Sequence, residues 1–221
     1  MQHELVILPD GASLAERAAS FVQERLRARV AGRGRFAFAV SGGTTPWAMF
    51  GELAGCELPW EAVQIFQVDE RIVPEGDPQR NLTHLCDSLA SAPAQVYPMP
   101  VDDEDLDRAC GAYAASLPDS FDLVHLGLGS DGHTASLVPG DPVLDVESDL
   151  VAVTEAYEGQ RRMTLTYPAL ARAEEIIWLI SGAGKRDALA KLLAGDGSIP
   201  ASRVTAGHSV VLADTAAAGE S

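Results

Sequence analysis

A chain of 221 residues that is 47% hydrophobic and 22% charged is long and apolar enough to build a sizeable globular core. Its 32 acidic residues against 16 basic ones give a net charge of −16. That balance argues against nucleic-acid phosphates and anionic membranes as partners, because both require a basic face. It leaves room for a small anionic ligand, since a few local cations and a helix N-terminus outweigh a distant field.

Residues 5–8 form a short apolar run, the first expected strand. Ser13-Leu14-Ala15-Glu16 matches a capping box. Leu14, Ala18, Phe21, Val22, Leu26 and Val30 then recur at helical spacing until Gly32 and Gly34. Strands are predicted over 36–40 and 63–68, the latter ending in Asp69-Glu70-Arg71. Helices are predicted over 82–89 and 102–117, the second with acids crowding its positive end. The apolar run 121–126 reads as a buried strand leading into Gly127-Leu128-Gly129-Ser130-Asp131-Gly132-His133-Thr134-Ala135-Ser136. Beyond it come a short strand at 151–153, an extended segment at 162–166 and a short helix from Pro168. A buried strand at 176–180, a helix over 185–193 and a last strand at 210–212 follow, and the Ala-rich tail from Thr215 is expected to fray. Strands alternating with helices imply an α/β fold with a mostly parallel sheet covered on both faces. No linker or repeat divides the chain, so one domain over 1–221 is expected.

Cys56, Cys86 and Cys110 are odd in number and widely spaced, without C-x-x-C, which speaks against a disulfide framework or a zinc site. His, Cys and carboxylates do not cluster at ligand spacing, so no metal is expected. The N-terminus lacks a basic n-region, and no apolar run approaches the ~18 residues of a membrane span. A cytoplasmic location is therefore expected.

Four loops at strand ends carry the chemistry. Ser41-Gly42-Gly43-Thr44-Thr45-Pro46 lies between a strand and a helix start, and reads equally as a plain tight turn or as an anion cradle in which Gly42, Gly43 and Thr44 offer backbone N–H groups. It is neither a Walker loop nor G-x-G-x-x-G. Asp69-Glu70-Arg71 places two carboxylates beside a guanidinium, either a salt-bridged corner or part of a site. In the Gly-rich loop His133 is the candidate general base, with Asp131 or Asp69 fixing its tautomer. Ser136 lacks a strand–nucleophile–helix elbow, so water ranks above it as nucleophile. Gly182-Ala183-Gly184-Lys185 opens a helix with a cation, against the dipole, which an anionic ligand would explain, a solvated side chain being the alternative. Arg161 and Arg162, ahead of a Thr-bearing extended segment, are candidates for a second phosphate contact, with a solvated side chain the alternative, more so for Arg161 than for Lys185. His125 is assigned to the core, and His3, His84 and His208 have no supporting context.

In this order the pieces resemble the 6-phosphogluconolactonases, within the wider group that includes glucosamine-6-phosphate deaminases. The resemblance rests on Ser-Gly-Gly-Thr-Thr-Pro at 41–46, Asp-Glu-Arg-Ile-Val-Pro at 69–74, Asn81, and Gly-Leu-Gly-Ser-Asp-Gly-His-Thr-Ala-Ser-Leu-Val-Pro-Gly at 127–140. Arg162 with Thr164-Leu165-Thr166, Gly-Ala-Gly-Lys at 182–185 and Ile199-Pro200-Ala201-Ser202 complete it. It implies a modified Rossmann-like sheet with a small added subregion. It also implies a cytoplasmic enzyme without cofactor that opens 6-phospho-D-glucono-1,5-lactone, a small anionic sugar phosphate. In the related deaminases a glutamate stands where this chain has Val138, and losing that carboxylate favours hydrolysis. Arg80 replaces a usual serine, and Val138 stands where lactonases often carry phenylalanine. Catalytic roles are expected for His133, Asp131 and Asp69, and phosphate or substrate contacts for Gly42, Gly43, Thr44, Arg71, Arg162 and Lys185. A monomer or weak homo-oligomer is expected. The rival readings are a deaminase/isomerase, a sugar-phosphate sensor without turnover, and an esterase using Ser136.

Overall fold

The computed structural model describes residues 2–89 and 92–219. Its elements run β1 (Glu4–Leu8), α1 (Gly11–Arg33), β2 (Phe36–Val40), α2 (Thr44–Ala54), β3 (Val63–Gln67), β4 (Asp69–Arg71), α3 (Asn81–Ser88) and β5 (Gln95–Tyr97). They continue with α4 (Leu106–Ser116), β6 (Leu123–Leu126), β7 (Val151–Val153), β8 (Arg162–Leu165), α5 (Tyr167–Leu170), β9 (Glu175–Ile180), α6 (Arg186–Ala194), β10 (His208–Asp214) and α7 (Thr215–Ala218). Seven strands form a parallel sheet in the order β1-β10-β9-β6-β2-β3-β5.

Strand β2 is apolar at every position, and β9 is apolar from Ile176 to Ile180, because both faces of the sheet are covered. Alternate residues serve different cores. Phe36, Phe38 and Val40 of β2 meet Phe21 and Leu26 of α1, Met49 and Phe50 of α2 and Leu85 of α3. Ala37 and Ala39, between them, face the other core with Tyr113 of α4, Leu189 and Leu192 of α6 and Ala217 of α7. Ile176, Trp178 and Ile180 of β9 share that second core, while Ile177 and Leu179 share the first. The expected α/β layering is therefore present. Among the described residues no helix is long and apolar enough to cross a membrane.

From β2 the chain proceeds to β3 and β5 on one side of the sheet, and from β6 to β9 and β10 on the other. Adjacent β2 and β6 thus form the point where strand order reverses. Loops leaving the carboxyl ends of such a pair diverge and open a crevice. A second sheet, antiparallel β4-β8-β7, is the small added subregion. It joins the main sheet where Leu165 donates its backbone N–H to the Val68 carbonyl at 2.7 Å, while Val68 donates to Val40 at 2.9 Å.

Several boundaries differ from expectation for local reasons. Helix α1 begins at Gly11, with the Asp10 carboxylate accepting the Ser13 backbone N–H at 2.8 Å, so Asp10 rather than Ser13 is the cap. Asp105 caps α4 in the same way, which moves its start to Leu106. The segment 69–71 leaves the main sheet to pair with β8, and the three-residue β5, predicted by no apolar run, adds an edge. The tail is not frayed over 215–218. Asp214 accepts the Ala217 N–H at 2.7 Å and the Gly182 N–H at 3.0 Å, so α7 is tied to the turn after β9.

Candidate active site

The crevice at the reversal point is a cavity of about 650 Å³. The cradle 41–46, Asp69 and Arg71, Asn81, residues of the Gly-rich loop including His133, Arg162 and Lys185 all line it. Segments far apart in sequence therefore meet at one place. Three of the cavity's charged side chains are cations, Arg71, Arg162 and Lys185, and one is a carboxylate, Asp69. The local charge is thus opposite in sign to that of the chain as a whole, which suits an anionic ligand.

The Gly-rich loop folds back on itself as it leaves β6. Gly129 donates its N–H to the His133 carbonyl at 2.8 Å, and Gly132 donates to the Gly129 carbonyl at 3.0 Å. Asp131 Oδ1 accepts the His133 backbone N–H at 3.1 Å and the ring Nδ1 at 2.6 Å. An ionised carboxylate can only accept, so the ring proton sits on Nδ1 and Nε2 is left as the basic nitrogen. Partial burial pushes the Asp131 carboxyl up, but the bonds from His133 and from the Tyr157 hydroxyl outweigh it and leave it below the usual carboxylate range. Gly129 lies directly beneath this pair: a Cβ there would fall on the imidazole and on Asp131 Oδ1. The backbone therefore approaches His133 as only glycine permits.

Asp69 does not touch His133. Its Oδ2 accepts the Ser136 hydroxyl at 2.7 Å. Ser136 is fully buried and outside the cavity lining, so its hydroxyl is unavailable as a nucleophile. Strand alternation separates the neighbours in β4. Asp69 and Arg71 line the cavity, whereas Glu70 turns inward and is fully buried. Its carboxylate accepts the backbone N–H groups of Arg71, Asn81 and Leu82, each at 2.8 Å, and the Gln67 amide at 2.8 Å. It caps α3, whose own N-cap, Arg80, offers no side-chain bond. Glu70 is therefore removed from the candidate chemistry.

The first turn of α2 carries no side-chain cap, in contrast to α1 and α4. Its first residues, Thr44 to Trp47, line the cavity, which therefore meets the positive end of the helix dipole. Asn81 is seated against Gly42, where a Cβ would collide with its amide, and donates to the Asp69 carbonyl at 3.1 Å. Arg71 donates to the Gln79 carbonyl at 2.6 Å. Arg162 is buried, its Nε lacks a partner among the described residues, and its one carboxylate neighbour, Glu158, is 3.5 Å away. Lys185 lies in the 3₁₀ turn Ala183–Lys185 before α6. The two unusual residues are absorbed into packing. Arg80 reaches Asp102 with both oxygens at 2.8 Å, and Val138 is buried. Among the described residues no cluster of His, Cys, Asp and Glu is placed to hold a metal ion.

Sequence reasoning passed over three side chains at this site. Trp47 and His84 line the cavity and stack with ring centroids 5.7 Å apart. Tyr157, behind Asp131, reaches its Oδ2 at 3.2 Å. His125, assigned to the core, is buried and also lines the cavity. Its Nδ1 accepts the Ser41 backbone N–H at 3.3 Å, which braces the cradle from below.

Burial pushes the His125 imidazole down to about 3, so it is neutral in the folded state. Unfolding frees it to take a proton near its ordinary value of about 6.5, so between these values the unfolded chain binds more protons and stability falls as pH falls. Chemical denaturation is expected to show a loss of roughly 2 kcal/mol from this group between pH 7 and pH 5. In His125→Leu the acid slope should flatten, while stability at pH 7 drops by about 1–3 kcal/mol because the Ser41 N–H loses its acceptor. An unchanged slope would contradict a neutral, buried His125.

Comparison with known proteins follows the same lines. Residues 9–213 match the family model described as glucosamine-6-phosphate isomerases/6-phosphogluconolactonase. A 6-phosphogluconolactonase of Synechocystis is 36% identical over 208 residues, covering 88% of this chain and 86% of that protein. The crystal structure of a Thermotoga maritima 6-phosphogluconolactonase superposes with a TM-score of 0.88 at 26% identity, over 96% of this chain and all of the other. A monomeric glucosamine-6-phosphate deaminase superposes nearly as well, with a TM-score of 0.85 at 20% identity, over 98% of this chain and 99% of the other. Backbone shape is thus shared across the group, and the side chains must discriminate.

Proposed function

The chain belongs to the glucosamine-6-phosphate isomerase/6-phosphogluconolactonase family, and on that premise we propose that it hydrolyses 6-phospho-D-glucono-1,5-lactone to 6-phospho-D-gluconate, a step of the pentose phosphate pathway. The observation that carries the mechanism is the His133–Asp131 pair, 2.6 Å apart, in a cavity that also gathers an uncapped helix N-terminus, Arg162 and Lys185. A base and an anion site thus share one crevice. Val138, apolar and buried, supplies no carboxylate for the proton transfers of an aldose–ketose isomerisation.

In this reading the substrate phosphate docks on the N–H groups of Gly42, Gly43 and Thr44, with Arg162 and Lys185. Nε2 of His133 takes a proton from water as its oxygen bonds to C1. Backbone N–H groups of the Gly-rich loop stabilise the oxyanion. As the tetrahedral intermediate collapses, the bond from C1 to the ring oxygen breaks and His133 returns the proton to that oxygen. Asp131 holds the tautomer and stabilises the imidazolium. Asp69 and Arg71 position the lactone end through its hydroxyls. The whole chain acts as one domain, because both sheets supply walls of the same cavity. The enzyme works in the cytoplasm without a cofactor, as a monomer or weak homo-oligomer.

The test generates the lactone in situ from glucose 6-phosphate and follows acid release by purified protein over spontaneous opening. Acceleration is expected; none, or release of ammonia from glucosamine 6-phosphate, would overturn the reading. Lys185→Ala should raise KM by about tenfold to a hundredfold with little change in kcat, as loss of a charged anchor does. A change confined to kcat would contradict the phosphate role.

A further inference from the structure

The segment between β7 and β8 carries no chemistry-bearing motif in the sequence, yet it delivers a side chain to the back of the active site. Thr154 donates its N–H to the Arg162 carbonyl at 2.9 Å, and Tyr157 and Gln160 exchange backbone bonds at 3.0 and 3.2 Å. Glu158 and Gly159, both with positive φ (52° and 82°), make the two-residue turn. This tight hairpin fixes where Tyr157 stands.

From that position Tyr157 touches three groups. Its hydroxyl donates to Asp131 Oδ2 at 3.2 Å, the oxygen that His133 does not use. Its ring meets the His133 ring edge-on, with centroids 5.4 Å apart. The Arg162 guanidinium lies over the same ring, 5.0 Å from its centroid. One aromatic side chain thus joins the acid–base pair to a cation of the phosphate site.

We propose that Tyr157 is a positioning residue of the lactonase reaction, which sets the basicity of the His133–Asp131 pair through its hydroxyl and the placement of Arg162 through its ring. The inference rests on the functional reading above. The physical argument has two separable parts. The hydroxyl draws charge from Asp131 and so weakens the carboxylate's hold on the imidazolium. The ring supports a buried guanidinium whose only carboxylate neighbour among the described residues is the exposed Glu158.

Among the described residues, Asp131 and Tyr157 touch the imidazole, Arg162 and its neighbour Glu158 lie on the hairpin with Tyr157, and Asp69, Arg71, His84, His125 and Lys185 line the same cavity. Tyr157→Phe alters only one of them. It removes the hydroxyl and keeps the ring, so Asp131 should hold more charge and the His133 imidazole should titrate higher by about 0.3–1 pH unit. The acid limb of kcat should move up by the same amount, with KM within about twofold. Tyr157→Leu removes the ring as well, and KM should rise about threefold to tenfold.

Titration of the His133 imidazole by NMR in substrate-free wild-type protein and Tyr157→Phe tests the first part without any assay of turnover. Kinetics of Tyr157→Phe and Tyr157→Leu test the second. An imidazole titration unmoved in Tyr157→Phe overturns the proposal, as does a KM unmoved in Tyr157→Leu. Wild-type protein that fails to open the lactone defeats the functional reading, and with it the role in that reaction, while the NMR titration still decides the coupling to His133. Circular dichroism of both variants checks that the hairpin substitution leaves the fold intact.

Discussion

His133→Ala is expected to lower kcat for lactone opening by roughly 10²–10⁴-fold, the usual share of a positioned general base. Folding should be unaffected. The imidazole is partly exposed at the cavity wall, and its side-chain hydrogen bond is to Asp131. Removing it leaves that carboxylate to the Tyr157 hydroxyl, the His133 backbone and solvent, with no buried charge stranded. The measurement is acid release from lactone generated in situ, corrected for spontaneous opening, beside a denaturation curve of the same preparation. Turnover equal to wild type would remove His133 from the mechanism. An equal loss of turnover and stability would make it a structural residue.

Gly129→Ala should produce a comparable catalytic defect by a different route. The added methyl would occupy the space of the His133 ring and of Asp131 Oδ1. The imidazole must move, and displacement of a reacting group by about 1 Å can cost on the order of 10²-fold. The substitution leaves every catalytic group in the sequence, so its effect reads placement alone. Gly132→Ala is the informative contrast. Gly132 has φ of +86°, and its methyl would strike Ile199, which belongs to one of the two cores. That change should appear mainly as a loss of stability of about 1–3 kcal/mol in denaturation, whereas Gly129→Ala should appear mainly in kcat. Activity and stability measured on both variants would separate the two roles.

The glycines also illustrate what the sequence discloses. Their density around His133 marks a loop with unusual backbone demands, but only the folded loop shows that Gly129 clears the imidazole and Gly132 clears Ile199. The central strands were legible because residues 36–40 and 176–180 are apolar throughout, as burial on two faces requires. Strand β4 was not, since its partner β8 lies some ninety residues away and three residues carry no period. Asp69 and Glu70 are adjacent carboxylates with equal claims on paper, and the pleat alone sends one to the cavity and the other under α3. His84, Trp47 and Tyr157 are single residues within otherwise ordinary stretches, brought to the site by helix packing and by a hairpin. No local signal distinguishes such residues from solvent-facing ones.

The division of labour within β4 has a consequence for how this crevice can diversify. The inward-turned carboxylate at position 70 shoulders the structural duty for the whole tripeptide, anchoring the helix that follows. Its flanking positions, 69 and 71, are spared that duty and keep one side-chain bond each to the scaffold, from the Ser136 hydroxyl to Asp69 and from Arg71 to the Gln79 carbonyl. Chemistry at the mouth can be rewritten most freely at position 71, whose bond is to an exposed loop carbonyl, whereas a change at 69 must also satisfy the buried hydroxyl of Ser136.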